Sequence, residues 1–290
     1  MTNPNVPPTA APFTAPGVAF TPPPPSILHS VMRQIEQQTA TLPRYQYAPL
    51  KQKVQYARAV TTCAAAFCER ARAIVVIADE RISYGVTSTR GEKIWPVHRD
   101  WHVLYAGFTA PSLSVLRDLR ATMDHRPKTL ADVEERIVAL CRQYPCRILK
   151  DGTREQRQFL LAGFDPAGVS HLVLFTDEAE DSAPIIEPVE QFAAIGTGEQ
   201  IVRHLLALFD QHSRLPAAVT LYHCCAAKFF SEALASDIGK ATTVYLLRQG
   251  AVDFRPTQLL RNIRSAWKRR GQLPVPPAIL AKLQKDLDIT

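Results

Sequence analysis

Three observations predict an α+β fold. The periodic segments run strands, two helices, strands, two helices, strands. Residues 61–81, TTCAAAFCERARAIVVIADER, read as two strands joined by a tight polar turn. At Pro111 the hydrophobic period changes from two to 3.6. With 290 residues and 46% hydrophobic content, the chain is long enough for one good core or two small ones.

Residues 1–26 are Pro, Ala and Thr with little else, ending in Pro22 to Pro25. Such a segment cannot bury enough apolar surface to offset its ordering entropy, so a disordered N-terminal extension is expected. Ile27, Leu28, Val31, Met32 and Ile35 make one stripe of a short helix over 26–40. Tyr45, Tyr47, Leu50 and Tyr56 then lead towards the first strand. The divisions expected are 1–26 disordered, 27–58 an extension with a short helix, 59–255 the main domain and 256–290 a basic helical tail.

In the opening hairpin, 61–68 is built of small and β-branched residues and 74–78 is a continuous apolar run, the pattern of a strand covered on both faces. The turn over 69–72 holds no apolar residue larger than Ala. The chain leaves through Asp79, either as a solvated cap of the exit turn or, buried, with a cationic partner; Lys93 is the candidate. A connection with Gly85, Thr87, Ser88 and Gly91 leads to a third strand over 93–97, a turn at 98–100 and a fourth strand over 101–108. Leu113, Leu116, Leu119 and Met123 mark one helix. Thr129 is the N-cap candidate of the next, whose inner face is Val133, Ile137, Leu140 and Cys141.

A polar loop over 150–156 precedes a hairpin of 159–164 and 171–175 across Asp165-Pro166-Ala167-Gly168. The acidic run 177–181 reads as a solvated loop. A strand over 191–195 is followed by Gly196-Thr197-Gly198, which opens a helix to Leu208; a further long helix spans 217–234. Segments 242–247 and 252–254 close the sheet. The tail has two helical pieces, the first carrying Arg261, Arg264, Lys268, Arg269 and Arg270. With Trp267 as its one interleaved aromatic, this face reads as solvated, and a nucleic-acid partner is not expected.

Composition narrows the class further. Net charge is +7, but charged residues are only 21%, so the chain is no polybasic tail protein. There is no apolar window of about 18 residues to suggest a membrane span, and no secretory signal pattern. The six cysteines include no Cys-x-x-Cys pair, which argues against a zinc site; neither a metal nor a cofactor is expected. Reduced, buried thiols in a cytoplasm are the default reading.

The hairpin with Ala78-Asp79-Glu80-Arg81, then Lys93-Ile94 and Ala106-Gly107, resembles the start of a proteasome β-type subunit. Ala162-Gly163-Phe164-Asp165 and Ala194-Ile195-Gly196-Thr197-Gly198 agree in order, so the resemblance covers roughly 60–255. It implies a four-layer αββα N-terminal-nucleophile (Ntn) hydrolase sandwich, a ring-type homo-oligomer and a peptide or protein substrate. It also implies a threonine nucleophile whose free α-amine is the base, because a hydroxyl is a weak nucleophile at its own pKa. Thr62 is the best positional match, Thr61 the next, and strict counting back from Asp79 reaches Cys63. Lys93 would favour the alkoxide, Asp79 would hold that cation, Arg81 would order the loop, and Gly107 would offer an oxyanion N–H. Thr197 stands where the family has a Ser beside the nucleophile.

Each residue also has a plainer role: Thr61 and Thr62 as strand residues, Asp79–Lys93 as a structural ion pair, Gly107 as a strand-end glycine and Thr197 as a helix cap. Two departures from the family pattern stand out. The nucleophile has no free amine until the chain is cut before it, where the preceding residue is Val60 or Thr61 rather than Gly. The late Asp-x-x-Ser-Gly becomes Ala235-Ser236-Asp237-Ile238-Gly239. With Gln55-Tyr56-Ala57, similar to the non-catalytic α-type subunits, these support an alternative: an inactive scaffold or assembly subunit that keeps its extension.

Overall fold

The structure, a computed structural model, describes residues 58–59, 61–84, 87–123, 126, 128–148, 155–177, 183–235, 238–254, 257–270 and 285. The segments expected over 1–26 and 26–40 lie outside these residues, as does the tail beyond Arg270 apart from Lys285. In order, the elements are β1 (Arg58–Ala59), β2 (Cys63–Cys68), β3 (Ala73–Asp79), β4 (Arg81–Tyr84), β5 (Thr87–Arg90), β6 (Ile94–His98), β7 (Trp101–Phe108), α1 (Thr109–Thr122), α2 (Leu130–Gln143), β8 (Arg157–Phe164), β9 (Ser170–Asp177), β10 (Ile185–Pro188), β11 (Phe192–Ile195), α3 (Glu199–Leu208), α4 (Ala217–Leu234), β12 (Thr242–Arg248), β13 (Ala251–Phe254) and α5 (Thr257–Arg270).

Two antiparallel sheets result. One has the order β11-β2-β3-β12-β13; the other runs β10-β9-β8-β7-β1-β4-β5, with β6 also pairing β7. Alternation along the strands sends one set of side chains between the sheets: Cys63, Ala65, Phe67, Ile74, Val76 and Ala78 meet Leu104, Ala106, Leu160 and Ala162. The other face of β7, β8 and β9 (Val103, Tyr105, Phe159, Leu161, Val173, Phe175) packs on Val115, Leu116 and Leu119 of α1 and Val133, Ile137 and Leu140 of α2. Each such aliphatic side chain contributes about 1.5–3 kcal/mol when fully buried. On the first sheet, α4 packs against β2 and β3, and α3 against β11. Among the described residues, no helix is long and apolar enough to cross a membrane.

Local signals hold where chemistry dictates them. Thr129 caps α2 in a full capping box: its hydroxyl accepts from the Asp132 N–H while the Asp132 carboxylate accepts from the Thr129 N–H. All six cysteines are buried free thiols.

Several expectations need correction. The connection after Arg81 is a hairpin, β4–β5, with Tyr84 opposite Thr87. Ile185–Pro188 is an edge strand on β9. Asp177 ends β9 rather than opening a solvated loop. It is buried and takes the Arg157 guanidinium on one carboxylate oxygen, Nε at 2.8 Å and Nη2 at 2.6 Å. The first tail helix is more than a solvated basic face. Leu259, Leu260, Ile263 and Ala266 are buried, Trp267 lies edge-on to Phe229 and Phe230, and the Arg264 guanidinium stacks 3.9 Å from the Phe229 ring centroid. Arg261 and Lys268 are exposed.

Two buried histidines tie stability to pH. Burial pushes both His102, in β7, and His223, in α4, down to about 4. Between the ordinary histidine value and that level the unfolded chain binds more protons than the folded one, so stability present above pH 6.5 falls as pH drops towards 4. The urea midpoint is expected to decrease steadily between about pH 7 and pH 5, above the usual carboxylate range. Replacing His223 with Gln should flatten that decrease.

Candidate functional site

The site is set by the register of the β2–β3 hairpin. Cys63 pairs with Ala78 and Cys68 with Ala73, and the Asp79 N–H donates to the Thr62 carbonyl at 3.1 Å. The connecting turn takes Glu69, Arg70 and Ala71 through the left-handed region, at φ 54°, 59° and 63°. It is held from outside by N–H bonds from Glu69 to the Leu215 carbonyl (2.8 Å) and from Arg70 to the Ser213 carbonyl (2.6 Å).

Asp79 and Lys93 are both buried, and the Lys93 ammonium donates to Asp79 Oδ1 at 2.7 Å. The Arg81 N–H donates to the same oxygen at 2.8 Å. Oδ2 accepts the Thr62 N–H at 2.7 Å and the Thr61 hydroxyl at 3.1 Å. Lys93 also donates to Thr61 Oγ1. Thr61 Oγ1 thus accepts from a cation and donates to a carboxylate, with no side-chain exposure at Thr61 or Asp79. The ammonium lowers the cost of a negative oxygen at Thr61, whereas the carboxylate opposes it and instead fixes the direction of the hydroxyl and holds the lysine in place.

The other candidates sit differently. Successive strand side chains point to opposite faces, so Thr62 turns away from Lys93; its hydroxyl lies 3.3 Å from Ser231 Oγ of α4. Cys63 shares the face of Thr61, its thiol 3.6 Å from Thr61 Oγ1 and donating to the Tyr105 carbonyl at 3.7 Å. Burial pushes that thiol up to about 12, against a thiolate role. Gly107 has φ +101°, and a Cβ there would stand 2.1 Å from the Gln156 carbonyl oxygen, so both conformation and space demand glycine. It lies opposite Ala59 in antiparallel register. Thr197 is exposed and makes no hydrogen bond to Thr61, Asp79 or Lys93; α3 is capped at Gly198 without a side-chain bond. Its flanking glycines touch the site instead: a Cβ on Gly196 would be 2.4 Å from Thr61 Cγ2, and one on Gly198 2.0 Å from Thr62 Oγ1.

Just before Thr61, β1 pairs with β4 on one side and β7 on the other, Arg58 opposite Ser83 and Phe108. The chain's own segment fills the slot between those strands. Two polar groups beside the site had no place in the sequence reading, Ser231 and Lys228. The Lys228 ammonium is buried and bonded to Glu232, to the carbonyls of Gly239 (2.7 Å) and Ala241 (3.2 Å), and to Thr242 Oγ1 (2.8 Å). The available signal was one lysine inside a largely apolar helix with a glutamate four residues on. Among the described residues, no cluster of three His, Cys, Asp or Glu side chains could hold a metal ion.

Replacing Lys93 with Met leaves Asp79 buried without its cation and is expected to reduce unfolding free energy by about 3–5 kcal/mol. The Arg99→Met control removes a pair with Asp100 in which the arginine is exposed, and should change it by less than about 1 kcal/mol. Urea unfolding of both variants checks the contrast.

No family model matches the sequence, and no curated protein matches it. Among solved structures, the fold is similar to that of Anbu, a Gly-1 mutant, from Hyphomicrobium sp. strain MC1. The TM-score is 0.55 at 15% identity, over 72% of this chain and 94% of that one. At that identity the likeness is one of fold, and this chain has a proteasome-like fold.

Proposed function

We propose that the chain is the precursor of an amide hydrolase of the N-terminal-nucleophile type, on a four-layer αββα scaffold, with Thr61 as the nucleophile once the segment before it is removed. The observation that carries this is the Lys93 ammonium on Thr61 Oγ1, held there by the Asp79 carboxylate in a fully buried setting. This prefers Thr61 over Thr62, whose hydroxyl bonds to Ser231. In the cut protein, Thr61 Oγ1 would attack a peptide carbonyl and its proton would pass to the free α-amine of Thr61. The tetrahedral oxygen would be met by the Gly107 N–H. Collapse would release the amine half and leave an ester on Thr61, which water would hydrolyse. The pairing of β1 with β4 and β7 supports an extended peptide in the same slot. The reading also carries the resemblance's expectation of a ring-type homo-oligomer acting on peptides or proteins in the cytoplasm.

One observation favours a scaffold reading: the slot is filled by the chain's own β1, next to a fully buried Thr61. Intact mass and N-terminal sequencing separate the two. The hydrolase reading expects a chain beginning at Thr61 that cleaves fluorogenic peptide amides. It expects Thr61→Ala to stay full length and inactive, while the isosteric Thr62→Val, which loses only the Ser231 contact, is still cut and keeps measurable, reduced turnover. A wild-type chain that remains full length and without turnover would leave the scaffold.

A further inference from the structure

Lys228 is the least expected charge in the molecule. It lies in the middle of α4 with no side-chain exposure, and every acceptor around it has a structural address. Glu232, one turn on, is shared with Arg264 of α5, whose Nη2 stands 3.0 Å from Glu232 Oε1. The other acceptors, Gly239 O, Ala241 O and Thr242 Oγ1, belong to the segment that closes over the end of β3. Ala241 O also takes the Glu80 N–H at 3.3 Å, and Thr242 pairs with Asp79. Gly239 packs so closely that a Cβ would lie 2.6 Å from Arg81 Cβ and 3.1 Å from Asp79 Oδ1.

A second path leaves the same residue. The Lys228 carbonyl accepts the Ser231 hydroxyl at 2.8 Å, Ser231 Oγ meets Thr62 Oγ1 at 3.3 Å, and the Thr62 N–H donates to Asp79. Both paths end on Asp79, one through each neighbouring strand. A buried charge of this kind is weak evidence for stability, since a well-packed hydrophobe in its place is often neutral or better. What the charge does supply is direction: an ammonium aimed at three acceptors of one segment holds that segment at one distance from the helix.

We infer that Lys228, with Ser231, is a positioning pair. Together they brace the ends of β2 and β3 so that Asp79 holds Thr61 Oγ1 and Lys93 in line. The role in turnover rests on the hydrolase reading above; the brace itself does not.

The test compares Lys228→Met and Ser231→Ala with the wild-type chain by amide hydrogen exchange and by kinetics on a fluorogenic peptide amide. In Lys228→Met, exchange at the Thr62, Glu80 and Arg81 amides should rise at least tenfold while that of β8 and β9 stays the same. The kcat should fall tenfold or more with KM within about twofold, a split that general loss of folded protein does not produce. Ser231→Ala should move the Thr62 amide and kcat in the same direction by less. Should Lys228→Met fail to fold, Ser231→Ala decides alone. Unchanged exchange at these amides overturns the brace whatever turnover does. Faster exchange in a protein whose wild type shows no turnover supports the brace and overturns the hydrolase.

Discussion

The Asp79 carboxylate is the point on which the structure turns. It is buried, and the cost of burying it is offset because both oxygens are used twice, by the Lys93 ammonium, two backbone N–H groups and a threonine hydroxyl. The donors come from three segments: the chain just before β2, the start of β4 and the chain just before β6. Satisfying one carboxylate therefore brings three segments to one place. The reactive geometry around Thr61 is the by-product of that requirement.

Close approach is the second constraint. The loop before α3 and the segment before β12 both run against the threonines and Asp79, and they do so at Gly196, Gly198 and Gly239, where a Cβ would collide. Behind them α4, which packs on β2 and β3, supplies Ser231 and Lys228. The site thus has a small, backbone-lined front and a charged back, joined through the hydrogen bonds of the two strand ends. Meanwhile β1, between β4 and β7, brings the chain into Thr61 along the same sheet that carries Gly107.

Where the sequence was legible, a strong local rule was operating. Alanines and cysteines beside a Val-Ile run mark a doubly covered hairpin, and Thr129 with Asp132 marks a helix start, because these signals depend on neighbours along the chain. It was illegible where a strand is short and has no apolar face. Thr87–Arg90 is polar throughout, Arg58–Ala59 is two residues long, and each exists because a neighbouring strand offers unpaired backbone. The acidic run was misread at Asp177 because its partner, Arg157, is twenty residues away and adjacent only through the β8–β9 pairing.

The sequence by itself determined the α+β order, the hairpin, and the presence of Asp79 and Lys93 as a candidate pair, since residue type and spacing suffice for these. Which threonine meets that pair was left to the tertiary structure. A strand changes face at every residue, so a one-residue uncertainty in a turn exchanges Thr61 for Thr62 or leaves Cys63 beside the lysine. Only the closed hairpin, with its turn pinned by Ser213 and Leu215 from the loop between α3 and α4, removes that uncertainty. The same holds for Lys228, whose acceptors outside its own helix lie eleven to fourteen residues away and converge on it only when β12 pairs with β3.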